Sequence, residues 1–125
     1  MKNIYQYKSP DGVNPVGCFI NGLDEKAQRK IGSVLKLISE DANVMKPPYV
    51  KAFRIEKYKG FYELRARMIH LIRIIFYIDE EGDIILLHAF LKKHERSTEQ
   101  ALDISKSRVA DLKSETATKS TFRED

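Results

Sequence analysis

A chain of 125 residues, 42% hydrophobic and 32% charged, has enough apolar content for one core. It has no apolar run near the roughly 20 residues of a membrane span, and its single cysteine, Cys18, excludes an internal disulfide or a cysteine-based zinc site. The formal charge of +4 is unevenly spread, with eight lysines and arginines between Lys46 and Arg73 against Glu56 and Glu63, a bias that suggests a polyanionic substrate or partner.

The first residues, Met1 to Gln6, lack the apolar core of a secretory signal, so the chain is expected in the cytoplasm. Asn3 to Tyr7 alternates weakly and runs into the turn Ser9-Pro10-Asp11-Gly12, which predicts a short edge strand. Asn14 before Pro15 predicts a helix start, and Val16, Phe19, Ile20 and Leu23 follow at helical spacing towards an end near Asn21-Gly22. Among those residues Cys18 is expected to be packed rather than reactive. Asp24 then caps a longer helix with Ala27, Ile31, Val34, Leu35 and Ile38 in one stripe. The two helices make a hairpin able to cover one face of a sheet. Pro47-Pro48 excludes helix and predicts an extended crossing, followed by a strand at Ala52-Phe53-Arg54-Ile55 and a turn at Gly60.

From Phe61 to Lys93, β-branched and aromatic residues dominate, and the turn Asp79-Glu80-Glu81-Gly82-Asp83 separates the two longest apolar runs. Three antiparallel strands are predicted. Alternation puts Tyr62, Leu64 and Ala66 on one face and Glu63, Arg65 and Arg67 on the other; in the next strand Ile72, Ile74, Phe76 and Ile78 form a core row opposite Arg73, Ile75 and Tyr77. One face is expected to be core and the other charged. The third strand allows two registers. Either Ile85, Leu87, Ala89 and Leu91 face the core, which sets His88, Phe90 and Lys92 beside Arg73 and Tyr77, or a bulged hairpin turns the other row inwards. After Lys93, Ser97 to Gln100 opens a helix carrying Ala101, Leu102, Ile104, Ser105, Val109 and Leu112. Residues 1–113 are read as one domain and 114–125 as a polar, flexible tail.

Four stretches carry a resemblance to a known family: Ser9-Pro10-Asp11-Gly12 with Pro15-Val16; Phe61-Tyr62-Glu63-Leu64-Arg65; Ile72-Arg73-Ile74-Ile75-Phe76-Tyr77; and Leu86-Leu87-His88-Ala89-Phe90-Leu91-Lys92-Lys93. In order and spacing the chain resembles the RelE/ParE toxin superfamily, in its HigB-like, phage-derived Gp49-like branch. The resemblance implies an α+β fold: an N-terminal helical hairpin on a twisted, mainly antiparallel sheet of four to five strands, with a C-terminal helix. It also implies the toxin of a type II toxin–antitoxin system, cleaving mRNA on the ribosome. Its partner would be a cognate antitoxin, often a helix-turn-helix DNA-binding protein, and no cofactor is implied. Arg65 and Arg73 match the family's strand arginines, Lys93 matches the basic residue after the last strand, and Arg67 is a looser match. A tyrosine that some relatives contribute near the C-terminal end has no counterpart; Gln100 stands near that place.

Metal-free RNA cleavage needs fixed positive charge on the phosphate, a base and an acid. Arginine suits the first role alone, because its planar fork grips phosphate and its pKa above about 12 keeps it protonated. Arg65 and Arg73 are therefore expected to stabilise the transition state. Lys92, Lys93, His70 and His88 are the candidates for proton transfer, with His88 equally readable as a hydrogen-bonded residue inside the sheet. Glu63 is expected to pair with Arg65 or Arg67, or across to a neighbouring strand. Arg67, Arg54, Lys57, Lys59 and Tyr77 are candidates for RNA contact, against the plainer readings of a solvated loop for the lysines and packing for the tyrosine. No metal site is expected, since two histidines lack an arranged carboxylate set. A gyrase-inhibiting toxin and an inactive antitoxin-binding homologue are the alternatives on one scaffold.

Overall fold

Two side-chain caps start the helical layer. Asn14 accepts a 2.9 Å hydrogen bond from the Gly17 N–H at the head of α1 (Pro15–Asn21), and Asp24 accepts one of 2.8 Å from the Ala27 N–H at the head of α2 (Glu25–Glu40). Each supplies a partner for an N–H that the helix itself leaves unpaired. Asp24→Ala is expected to lower the unfolding free energy by about 1 kcal/mol in urea denaturation followed by circular dichroism. The computed structural model describes residues 1–92 and 96–122.

The remaining elements are β1 (Ile4–Lys8), β2 (Val50–Ala52), β3 (Phe61–Arg67), β4 (Leu71–Ile78), β5 (Ile84–Leu91), α3 (Arg96–Lys113) and β6 (Thr118–Thr121). They form one six-stranded sheet in the order β2-β3-β4-β5-β1-β6, in which only the β1–β5 pair is parallel. The α1–α2 hairpin packs Val16, Ile31, Val34, Leu35 and Ile38 against Leu64, Ala66, Ile72, Ile74 and Phe76. That layer is the one the apolar stripes predict. The fold is α+β and consistent with a RelE-like scaffold.

Both sheet faces carry core, so the expectation of one apolar and one charged face is corrected. On the second face α3 lays Ala101 and Leu102 against Ile75 and Tyr58, and Val109 and Leu112 against Tyr7, Ile85 and Leu87. The β5 register combines the two alternatives: Ile84 and Leu86 pair with Ile78 and Phe76, then a bulge at Leu87 shifts the ladder so that Ala89 and Leu91 pair with Ile74 and Ile72. The extra residue lets Ile84, Leu86 and Ala89 all face the hairpin while Ile85 and Leu87 face α3.

Other expectations change as well. The first strand is not an edge, because β6 closes over it; the supposed tail thus supplies a strand at Thr118–Thr121 and raises the sheet to six. Residues 123–125 of that tail lie outside the described residues. The strand after the prolines is Val50–Ala52 rather than Ala52–Ile55, and Pro47 to Tyr49 turns instead of extending, with the Tyr49 and Val50 N–H groups donating to the Lys46 carbonyl. Cys18 is exposed rather than packed, on the outer side of α1. Gly60 and Gly82 have φ of +96° and +84°, which supports both predicted turns. Among the described residues no helix is long and apolar enough to cross a membrane.

Candidate functional site

The β3–β4 register sets Arg65 directly opposite Arg73, an arrangement that like charges disfavour. Glu63 resolves it. Its Oε1 accepts from Arg65 Nε at 3.0 Å and from Arg73 Nη1 at 2.6 Å, bridging two strands with one carboxylate. Glu63 has no exposed surface, whereas the Arg73 side chain is 10% and that of Arg65 29% exposed. Glu63 Oε2 and Arg73 Nε are buried with no partner among the described residues. The cluster is a buried anion between two cations, with the Arg65 guanidinium as its outer, partly solvated member. Arg73, expected on an open concavity, is instead largely buried against Glu63, which leaves Arg65 the more accessible of the two guanidinium groups.

Other basic side chains gather at the same end. Arg67 is exposed at the last position of β3, His70 is exposed in the turn after it, and Lys92 is exposed just beyond β5. Lys93 lies outside the described residues. Phe90 pairs with Arg73 across β4 and β5, so the row Arg65-Arg73-Phe90 runs over three strands.

His88 sits one row in, opposite Ile75, stacked on Phe90 with centroids 5.7 Å apart. Arg108 on α3 donates through Nη1 to the Leu87 carbonyl at 2.7 Å and lies 3.2 Å from His88 Nδ1. The bulge explains this contact, because it frees the Leu87 carbonyl from the ladder. A guanidinium only donates, so Nδ1 accepts and the neutral ring carries its proton on Nε2. Burial, reinforced by the Arg108 charge, pushes the His88 pKa down to about 4. Such a ring is neither a useful acid near neutral pH nor a free base at Nε2. His88 thus stands hydrogen-bonded inside the sheet, the environment that one of the two readings of its sequence position described.

That state has a pH signature. The fold holds His88 neutral down to about 4, while the unfolded chain takes up a proton near 6.5. Between those values the unfolded state binds more protons, so this contribution to stability is full above 6.5 and drains away as pH falls towards 4. Urea midpoints measured from pH 7.5 to 4.5 are expected to decline less steeply in His88→Gln than in the parent chain.

The remaining candidates lie elsewhere. Tyr77 is half-buried at the opposite end of β4, paired with Phe61 and packed on the cluster of Tyr7, Ile85 and Leu87; burial raises its pKa. Arg54, Lys57 and Lys59 are exposed near the Phe61 end of β3, about 13 Å along the strand from Arg65. Lys57 lies 5.2 Å from the Tyr58 ring and 3.8 Å from Asp103, which also accepts from the Tyr58 hydroxyl at 2.6 Å. These residues form a second basic area and do not join the arginine cluster. In the β4–β5 turn Asp79, Glu81 and Asp83 bring carboxylate oxygens within 4.8 Å of one another. Asp79 already accepts from the Glu81 and Asp83 N–H groups and pairs with Lys119 at 3.3 Å, so its charge is used within the fold.

Arg108 escaped the sequence reading. The signal was present: Ala101, Ser105, Arg108 and Leu112 recur at helical spacing on the inward side of α3, so an arginine stands on a buried stripe. Gln100, where some relatives carry a tyrosine, lines a cavity of about 160 Å³ with His88, Phe90, Ser97 and Ile104.

A helical hairpin on one face of the sheet, a third helix on the other and a strand-end arginine cluster define a small α+β protein on a RelE-like scaffold. The family model described as phage derived protein Gp49-like matches residues 18–110, and the chain belongs to that family, within the RelE/HigB branch of the toxin superfamily. Membership is consistent with the toxin of a toxin–antitoxin pair and implies an antitoxin partner. No curated protein matches the chain significantly.

Proposed function

We propose that this protein is the toxin of a type II toxin–antitoxin system and acts in the cytoplasm as a metal-independent endoribonuclease on mRNA in the ribosome. The observation that supports this best is Arg65: its guanidinium is fixed by a buried carboxylate yet partly open to solvent, at the end of the sheet where Arg67 and Lys92 are exposed. A preorganised donor fork of this kind stabilises charge developing on a phosphate without reorganising. The ribose 2′-oxygen attacks the adjacent phosphorus and loses its proton to a base, while the 5′-oxygen leaves and gains one. The products are a 2′,3′-cyclic phosphate and a 5′-hydroxyl. Arg65 contacts the non-bridging oxygens, Arg67 the neighbouring backbone, and Arg73 with Glu63 positions Arg65. With His88 withdrawn, proton transfer falls to Lys92, Lys93 and His70. The antitoxin, in this reading a helix-turn-helix protein, silences the toxin by masking this end.

A second reading, a homologue that binds an antitoxin and cleaves nothing, draws on two observations. Glu63 offsets one of the two strand arginines, and the Gln100 amide is not an ionisable acid or base where a tyrosine would supply a phenol. Primer extension on messages from a translation extract separates the two. Cuts that appear with the protein and need active translation support the nuclease; an unchanged pattern at micromolar protein supports the silent binder.

A further inference from the structure

An apolar recess lies on the helical-hairpin side of the arginine end, between the head of α2 and the β3–β4 turn. It encloses about 590 Å³ over a floor of Leu23, Ala27, Met68, Ile72 and Leu91, and Ile69 stands at its edge 94% exposed. The rim is basic: Lys26 and Lys30 on α2 stand across from Arg67 at the end of β3 and His70 on the turn after it. Among the described residues the one acid in the lining, Asp24, has a carboxylate oxygen committed to capping α2.

We propose that this groove is a docking site for an acidic amphipathic segment of a partner protein, whose aliphatic side chains fill the floor while its carboxylates meet the rim. The inference rests on the toxin–antitoxin reading only in identifying that partner as the antitoxin. An aliphatic floor under a rim of one charge sign asks for both chemistries in one ligand. RNA satisfies only the rim, where His70 and Arg67 offer planes for stacking a base; the floor is aliphatic, and among the described residues the lining carries no phenylalanine, tyrosine or tryptophan. An occupant here would also engage Arg67, which ties partner binding to loss of the RNA-facing charge.

The test uses the full chain and four fluorescein-labelled probes read by anisotropy: a peptide with leucines at helical spacing and glutamates elsewhere, its scrambled version, its lysine-for-glutamate version, and a 12-nucleotide single-stranded RNA. The acidic amphipathic peptide is expected to bind about ten-fold more tightly than either control peptide. Lys26→Glu with Lys30→Glu weakens that binding about ten-fold, and so does Ile69→Asp. All three positions are exposed, and circular dichroism checks that each variant folds. Equal binding of the scrambled peptide, no binding of the acidic one, or RNA binding that these substitutions abolish would each overturn the proposal. Because the readout involves no ribosome or cleavage, a failed nuclease assay leaves it standing. Conversely, the Lys26/Lys30 variant keeps RNA cleavage, so failure of the groove leaves the nuclease reading intact.

Discussion

Glu63→Ala is expected to cost about 3–5 kcal/mol of unfolding free energy, most of what a domain this small has to spare. The substitution leaves the buried Arg73 guanidinium without a counter-charge and directly opposite Arg65. An uncompensated buried charge is among the few single defects of this size. The companion variant, Glu63→Ala with Arg73→Met, removes both charges together and is expected to recover most of the loss, because burying an ion pair is itself close to break-even against apolar packing. Urea denaturation followed by circular dichroism reads both. A loss below about 1 kcal/mol in the single variant would mean that Arg73 reaches water after all, and the sequestered role given to it would be wrong.

Arg65→Ala is expected to reduce cleavage by about 100- to 1,000-fold while changing stability by no more than about 1 kcal/mol. The two effects part because Arg65 is the solvated member of the cluster: Arg73 still neutralises Glu63 when it is gone. Arg65→Lys keeps the charge and loses the planar fork, so it should recover only part of the activity. Growth arrest on induced expression and primer extension are the paired readouts. If the alanine variant remains fully toxic, the phosphate is gripped elsewhere, and the second basic area at Arg54, Lys57 and Lys59 becomes the place to look.

Those contrasting expectations for Arg65 and Arg73 were not visible in the sequence, which offered two alike arginines on strand faces. Alternation correctly put both on the same face, and the possibility that Glu63 would reach a neighbouring strand was open. What separated them was burial, and burial depends on tertiary position: Arg73 lies on a strand flanked by β3 and β5, with Phe90 opposite it. The histidine shows the same limit. Its neutral state follows from burial first and then from Arg108, twenty residues away, which reaches a carbonyl freed by a bulge. A bulge at Leu87 lets β5 feed both cores, a compromise between two apolar rows that were nearly equal candidates.

Local chemistry was read well because its partners are near in sequence. The caps at Asn14 and Asp24, the glycine turns at Gly60 and Gly82, the hairpin stripe and the β3-β4-β5 meander all depend on interactions within a few residues or across one short turn. The sequence by itself therefore determined the helical hairpin, the antiparallel meander and the family to which they belong. Only the tertiary structure decided that β1 lies inside the sheet between β5 and β6, that both faces are covered, and that one arginine is sequestered while its neighbour stays accessible. The reason is physical: propensity and periodicity act over single turns, whereas desolvation of a charge depends on every element that packs over it.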